Sequence, residues 1–455
     1  MMRVLRAALR GFGLALAGML AAVVLLEITV RVLNLAPPAE SPGWFWKSPD
    51  EQYGWQHMVG ATGRWFNPYN EYNVEVTINS KGLRDEEIEY GKAADEFRIL
   101  VLGDSYVEGL RVPLEQTFSK VLEQRLNTPD SPIVFRVINA GVSAWGADQA
   151  LLWYRNEGVK YEPDLVVLGF FPGNDFMNNS EALEFENFGA IRKPFFHLDE
   201  EQLTLRYYPF DPAKLPTVAK PSSAQSTIAS ADESPSAAPL QSWRPWLHRF
   251  SAIYRFATPL LRDAAPPLAR WMARWGLIEP GQEEIDATLA ANYIPVAYGV
   301  YRRPPTEQWQ DAFTLTNALL RALDKEVTAS GGRLVVALLT AQEQVYPELW
   351  DGLLLRYPAM QDKDWDLEQP NRVLYGILDG GNIPYIDLLP VFRAFAADSR
   401  TLLHLRHDGH WTPTAERLAG EAIYEFLTQN HLAPAPGAAE DVATATPPPG
   451  QTGAQ

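Results

Sequence analysis

Five residues of this 455-residue chain have the types and surroundings for acyl transfer by a serine nucleophile: Ser105, Gly141, Asn174, Asp408 and His410. Ser105 follows the apolar run 97–102 and Gly103-Asp104. A short, branched, apolar run of this kind reads as a buried parallel strand. It therefore puts a hydroxyl at a strand's carboxyl end, where open α/β sheets bind ligands. A helix starting there offers backbone N–H groups to a developing oxyanion. Asp and Ser are also common helix N-caps, so Gly-Asp-Ser alone does not separate a cap from a nucleophile.

Three further segments bear on that choice. Residues 133–141 form a second strand pattern that runs into Gly141, where a backbone N–H can approach a ligand closely. Residues 164–171 form a third, followed by Pro172-Gly173-Asn174-Asp175. Near the C-terminus, His407-Asp408-Gly409-His410-Trp411-Thr412-Pro413 brings an acid and an imidazole together just before a helical pattern over 415–427.

In these four blocks, and in their order, the chain resembles the SGNH/GDSL hydrolase family. The resemblance covers about residues 95–180 and 330–428. It implies Ser105 as nucleophile, and His410 and Asp408 as its base and orienting acid. It also implies an oxyanion hole made by Ser105, Gly141 and Asn174. One feature departs from the family, which usually spaces its pair Asp-x-x-His; that spacing before His410 falls on His407. The Asp-x-His-Trp order found here is similar to that of the SGNH-like proteins of alginate O-acetylation.

The chemistry so implied is attack of Ser105 on an ester carbonyl, with His410 taking its proton and Asp408 holding the imidazole. It requires no cofactor. Three histidines within residues 404–410 lack the further His or Cys cluster that a metal site would need, and His404 and His407 read as surface or supporting residues.

The N-terminus positions the chain. Arg3, Arg6 and Arg10 precede an apolar stretch over 11–26, interrupted by Glu27 and Arg31 and resumed to Leu35. The uninterrupted part spans about 24 Å, and extension to Leu35 gives about 37 Å, enough for a hydrocarbon core of about 30 Å. Glu27 and Arg31, one turn apart, are placed to pair. The basic flank stays in the cytoplasm. The expectation is a single-pass signal anchor in a bacterial-type inner membrane, with the rest of the chain periplasmic. A cleaved signal peptide is the competing reading, but no clear small-x-small site follows the stretch.

The chain has no cysteine, which leaves its compartment open, since secreted proteins need not have disulfides. The net charge of -17 argues against nucleic acid or an anionic membrane surface as a partner. The β–α alternation predicts a three-layer α/β/α sandwich with a parallel sheet. Residues 1–35 are flank and anchor, 36–90 a linker and small β extension, and 91–430 the catalytic domain. An insertion occupies about 181–300. Within it, 213–240 is Ala-, Ser- and Pro-rich and expected to be disordered, as is the tail 431–455. Residues 241–276 interleave tryptophans and arginines. They read as an amphipathic helical pair packing its aromatics on the core, with a membrane-interface element or a substrate lid as alternatives.

The expected function is hydrolysis of an ester, an O-acyl (acetyl) group on an extracytoplasmic carbohydrate. The alternatives are an O-acetyltransferase with the same triad and a non-catalytic carbohydrate-binding or assembly protein.

Overall fold

The computed structural model describes residues 2–129, 131–200, 202–215, 241–279 and 293–434. Most of 213–240 and of the tail 431–455, the two stretches expected to be disordered, lie outside these residues.

The chain opens with helix α1 (Met2–Val32). Its Arg10–Val32 stretch has a mean hydropathy of 2.2 over its most apolar window, only 6% of which is buried, so it is long and apolar enough to cross a membrane. Two antiparallel pairs follow: β1 (Trp46–Asp50) with β2 (Gly54–His57), and β3 (Thr62–Phe66) with β4 (Asn73–Thr77). The β extension expected within 36–90 thus starts at Trp46. Tyr72, Val74, Val76 and Ile78 are buried, as the alternation of that segment predicts.

The main body of the chain is built on a five-stranded sheet. It comprises β5 (Glu96–Gly103), β6 (Val134–Gly141), β7 (Leu165–Phe170), β10 (Arg333–Leu338) and β11 (Tyr385–Asp387). All pairings are parallel, in the order β11-β10-β7-β5-β6. The central strands β5, β7 and β10 are buried on both sides because successive side chains enter opposite layers, while the edge strand β11 is half-buried throughout. Leu100, Leu102, Ile138, Val166, Leu168 and Val336 face one core. That core is shared with helices α4 (Ala147–Asn156), α10 (Glu307–Ala329) and α11 (Gln369–Gly381). Ile99, Val101, Val137, Val167 and Val335 face the other. It is shared with α3 (Phe118–Leu126), α12 (Leu389–Asp398) and α13 (Pro413–Gln429). The chain is a three-layer α/β/α sandwich with a parallel sheet. In α13 the buried stripe is Ala415, Ala419, Ile423 and Leu427, an i, i+4 row; the neighbouring Leu418, Ala422 and Phe426 are half-buried at its margin.

Helix α5 (Asp175–Asn179) precedes the insertion, which begins with α6 (Glu181–Phe188) and continues into the hairpin β8 (Phe195–Asp199) and β9 (Gln202–Arg206). The buried Lys193 Nζ, 2.6 Å from Asp148 of α4, ties it to the sandwich. The insertion then forms α7 (Arg244–Phe250), α8 (Ala252–Ala264) and α9 (Pro266–Arg274). Their aromatics do not pack on the core as expected. Trp243, Trp246, Phe250, Trp271 and Trp275 are exposed.

Candidate active site

Strand β5 ends at Gly103 and the chain turns at once into a one-turn helix, α2 (Ser105–Glu108). Its N-cap is Asp104, whose Oδ1 accepts from the Tyr106 N–H at 2.9 Å. The acid therefore does the capping, and Ser105 is the first helical residue. Its N–H is one of the amides that helix geometry leaves without an intrahelical acceptor. Burial raises the Asp104 carboxyl to about 6, against the Tyr106 and Asn174 hydrogen bonds that favour its charged form.

The turn fits the sheet because glycine stands at or next to the end of three adjacent strands. Gly103 lies in register with Gly141 and with Gly169. A Cβ on Gly103 would fall 2.5 Å from the Val107 side chain, and one on Gly169 2.6 Å from it. On Gly141 it would fall 2.3 Å from the Glu108 backbone nitrogen, closer than real Cβ atoms come.

Ser105 Oγ lies 2.8 Å from His410 Nε2, and His410 Nδ1 lies 2.6 Å from Asp408 Oδ1. Asp408 and His410 sit on a closed loop. Its ends are joined by the His404–Trp411 bridge, the Leu405 N–H donates to the His410 carbonyl at 2.8 Å, and the Gly409 N–H donates to that of Leu405 at 2.9 Å. Between the two, Gly409 has φ 81, a left-handed conformation favoured by glycine. This bend folds the Asp408 carboxylate back onto the imidazole two residues on, so Asp-x-His brings acid and base together. Trp411, the residue after the base, is 1% exposed; it packs on Phe118, Phe392 and Tyr106 and donates to Thr340 Oγ1 at 3.2 Å. It anchors the loop in the core.

Two residues that sequence reasoning missed complete this arrangement. Arg111 Nε donates to Asp408 Oδ1 at 3.0 Å, and the Tyr72 hydroxyl donates to Asp408 Oδ2 at 2.9 Å. Burial alone would raise the Asp408 carboxyl; the His410 hydrogen bond and the charges of His410 and Arg111 hold it well below the usual carboxylate range. Burial and Arg111 lower the His410 pKa, and Asp408 opposes them only in part. The imidazole is therefore neutral at neutral pH, the state a general base requires.

Asn174 occupies the N-cap position of α5 without a side-chain cap bond, and donates Nδ2 to Asp104 Oδ2 at 3.1 Å. An amide nitrogen has two protons, so one is left beside Ser105's own cap. Gly141 has a different position from the one expected. Its N–H donates to Asn139 Oδ1 at 3.1 Å, and its Cα lies under the α2 backbone. It makes room for the Ser105 turn and does not present a free N–H to it. The loop beyond it holds Ala144 at φ 62, with the Ala144 carbonyl accepting from Asn178 Nδ2 of α5 at 3.0 Å.

The β extension supports α2 from outside. Glu108 is fully buried, and its Oε1 accepts from Trp46 Nε1 at 3.0 Å and lies 2.6 Å from His57 Nε2. Arg84 donates to the Glu108 and Gly109 carbonyls at 2.7 and 2.6 Å. His404 is buried, with Nε2 3.1 Å from the Thr340 carbonyl, and burial lowers it to about 4. His407 stacks on Tyr69 at 3.7 Å and lies 3.4 Å from Asp263. A cavity of about 720 Å³ adjoins the loop, lined by Gln342, Glu343, Tyr346, His404 and Arg406 among others.

No family model and no curated protein sequence matches the chain. Among solved structures it is similar to TesA, at 13% identity over 73% of this chain and 98% of that one, with a TM-score of 0.32. It is also similar to the acetyl xylan esterase AlAXEase, at 11% identity over 72% and 98%, with a TM-score of 0.34. A third is the lipase/acylhydrolase from Enterococcus faecalis, at 12% identity over 73% and 96%, with a TM-score of 0.34.

Proposed function

We propose that this protein is a serine esterase held to a membrane by α1, with Ser105, His410 and Asp408 as its triad. The observation that carries this reading is the unbroken hydrogen-bond chain from Ser105 Oγ through both ring nitrogens of His410 to Asp408, at 2.8 and 2.6 Å. A structural serine or a purely binding role calls for no such chain ending in a charged carboxylate.

In the first half-reaction Ser105 Oγ attacks the ester carbonyl and passes its proton to His410 Nε2. The oxyanion is met by the Ser105 N–H and the second Asn174 amide proton. Collapse expels the alcohol, which takes the proton back from His410. Water then attacks the acyl-enzyme with His410 again as base, releasing the carboxylic acid and restoring Ser105. Asp408, kept charged by the His410 hydrogen bond and the Arg111 cation, keeps the Nδ1–H tautomer and stabilises the imidazolium.

The substrate reading is an O-acyl group, such as acetate, on a carbohydrate outside the cytoplasm. The membrane-compatible α1, with its basic N-terminal flank in the sequence, supports that location. The test is hydrolysis of aryl esters of increasing chain length by the detergent-solubilised full chain. Acetyl-ester activity that disappears in Ser105→Ala is the expected result. A folded wild-type protein without esterase activity would overturn the reading in favour of an acyltransferase or a binding protein.

A further inference from the structure

The segment α7–α9 presents three exposed apolar stripes, each spaced i, i+3, i+7. They are Trp243, Trp246 and Phe250 on and just before α7; Ala257, Leu260 and Ala264 on α8; and Leu268, Trp271 and Trp275 on and just after α9. This spacing puts each trio on one helix face. Three faces in succession that no described residue covers make a larger apolar surface than scattered residues would.

The position of these helices points to what covers them. The Glu27 carboxylate of α1 accepts from the N–H groups of Ala252 and Ile253 at 2.7 and 3.0 Å, and from Ser251 Oγ at 3.1 Å. It thus acts as an N-terminal cap for α8 supplied from another helix. Arg31, paired with Glu27 at 2.6 Å, donates to the Phe250 carbonyl at 2.7 Å. The two charges that interrupt the apolar N-terminal stretch are therefore spent on fixing α7 and α8 to the outer end of α1. Helix α8 packs against α1, whose apolar side chains from Phe12 to Val32 are largely exposed. The segment also carries six arginines against one aspartate over residues 241–276, in a chain with net charge -17. Tryptophans on one side and arginines on the other are the composition of a helix lying in a membrane interface.

We propose that α7–α9 lie in the outer interface of the bilayer that α1 spans, with these three stripes turned into lipid; this rests on α1 being a membrane anchor. The 13-residue α8 then bridges membrane and active site. Its start is capped by α1, and Asp263 near its end lies 3.4 Å from His407, three positions before His410 in the catalytic loop. At 1.5 Å per residue α8 covers about 20 Å, so the catalytic loop is held close to the membrane surface.

The absence of cysteine makes the test direct. Single variants Trp246→Cys, Leu260→Cys and Trp271→Cys of the full chain are spin-labelled in lipid nanodiscs. Accessibility to oxygen, which partitions into lipid, is compared with that to a water-soluble nickel chelate. Leu20→Cys in α1 and Val59→Cys in the β2–β3 turn are the references, and Ser105-dependent ester hydrolysis reports folding of each variant. Oxygen-to-nickel ratios at the three sites matching Leu20→Cys, and several-fold above Val59→Cys, are the expected result. Ratios equal to Val59→Cys, with Leu20→Cys still lipid-like, would overturn the docking while keeping the anchor. An aqueous Leu20→Cys would overturn the anchor and the docking together. Low accessibility to both reagents would assign the face to a second protein surface and overturn the lipid assignment.

Discussion

On the proposed mechanism His410 must be neutral to take the Ser105 proton, so activity requires a pH above its folded pKa. Burial and Arg111 set that pKa below the ordinary histidine value of about 6.5. The acid limb of kcat/KM should therefore lie below about 6.5. Arg111→Gln removes a cation that disfavours the imidazolium, so the His410 pKa rises and the limb moves to higher pH. An unmoved limb would show that Arg111 does not act on the base. Asn174→Ala should lower kcat by about 10²–10³, as for loss of one oxyanion donor, with KM nearly unchanged; a wild-type kcat would remove Asn174 from the oxyanion site. Ser105, His410 and Asp408 were legible because each lies in a short block next to a strand or helix pattern. Arg111 and Tyr72 were not. They reach Asp408 from 297 and 336 residues away, and only the folded chain brings them to it.

Helix α2 depends on the glycines beneath it. Gly141→Ala leaves the backbone N–H in place but sets a Cβ 2.3 Å from the Glu108 nitrogen, and neither backbone can yield cheaply. It should cost about 1–3 kcal/mol of stability, read as a lower denaturation midpoint. An unchanged midpoint would contradict the packing role. Helix α3 depends on Glu416, whose carboxylate accepts from the Phe118 N–H at 2.9 Å. Burial raises this carboxyl to about 8. The folded state then holds a proton that the unfolded state, with its carboxyl near 4.5, gives up. Stability from this group is present below about 4.5 and falls as pH rises toward 8. Glu416→Gln should flatten that slope in melting temperature against pH, and an unaltered slope would contradict it. The strands and most helices were legible from their apolar runs and periodicity, because burial on both sheet faces dictates both. The exposure of the 241–276 aromatics was not: periodicity marks an apolar face without saying whether protein or lipid covers it.

At the scale of the molecule, the chain reads as a span, a set of interfacial helices and a sandwich whose catalytic edge lies near them. Alkaline carbonate extraction should leave the full-length chain in the membrane pellet. Release of a shorter chain, by mass, would mean that α1 is removed as a signal sequence. The β–α alternation announced the sandwich. The link from α1 through α8 to the catalytic loop rests on side-chain contacts between distant segments, for which the sequence has no local signal.

The most direct measurement of the central claim is labelling of the full chain with a fluorophosphonate, followed by peptide mass spectrometry. The account predicts one covalent adduct, on Ser105, formed far more slowly in His410→Ala because the hydroxyl then has no base. An unlabelled Ser105 in folded protein, or an adduct on another serine, would contradict it.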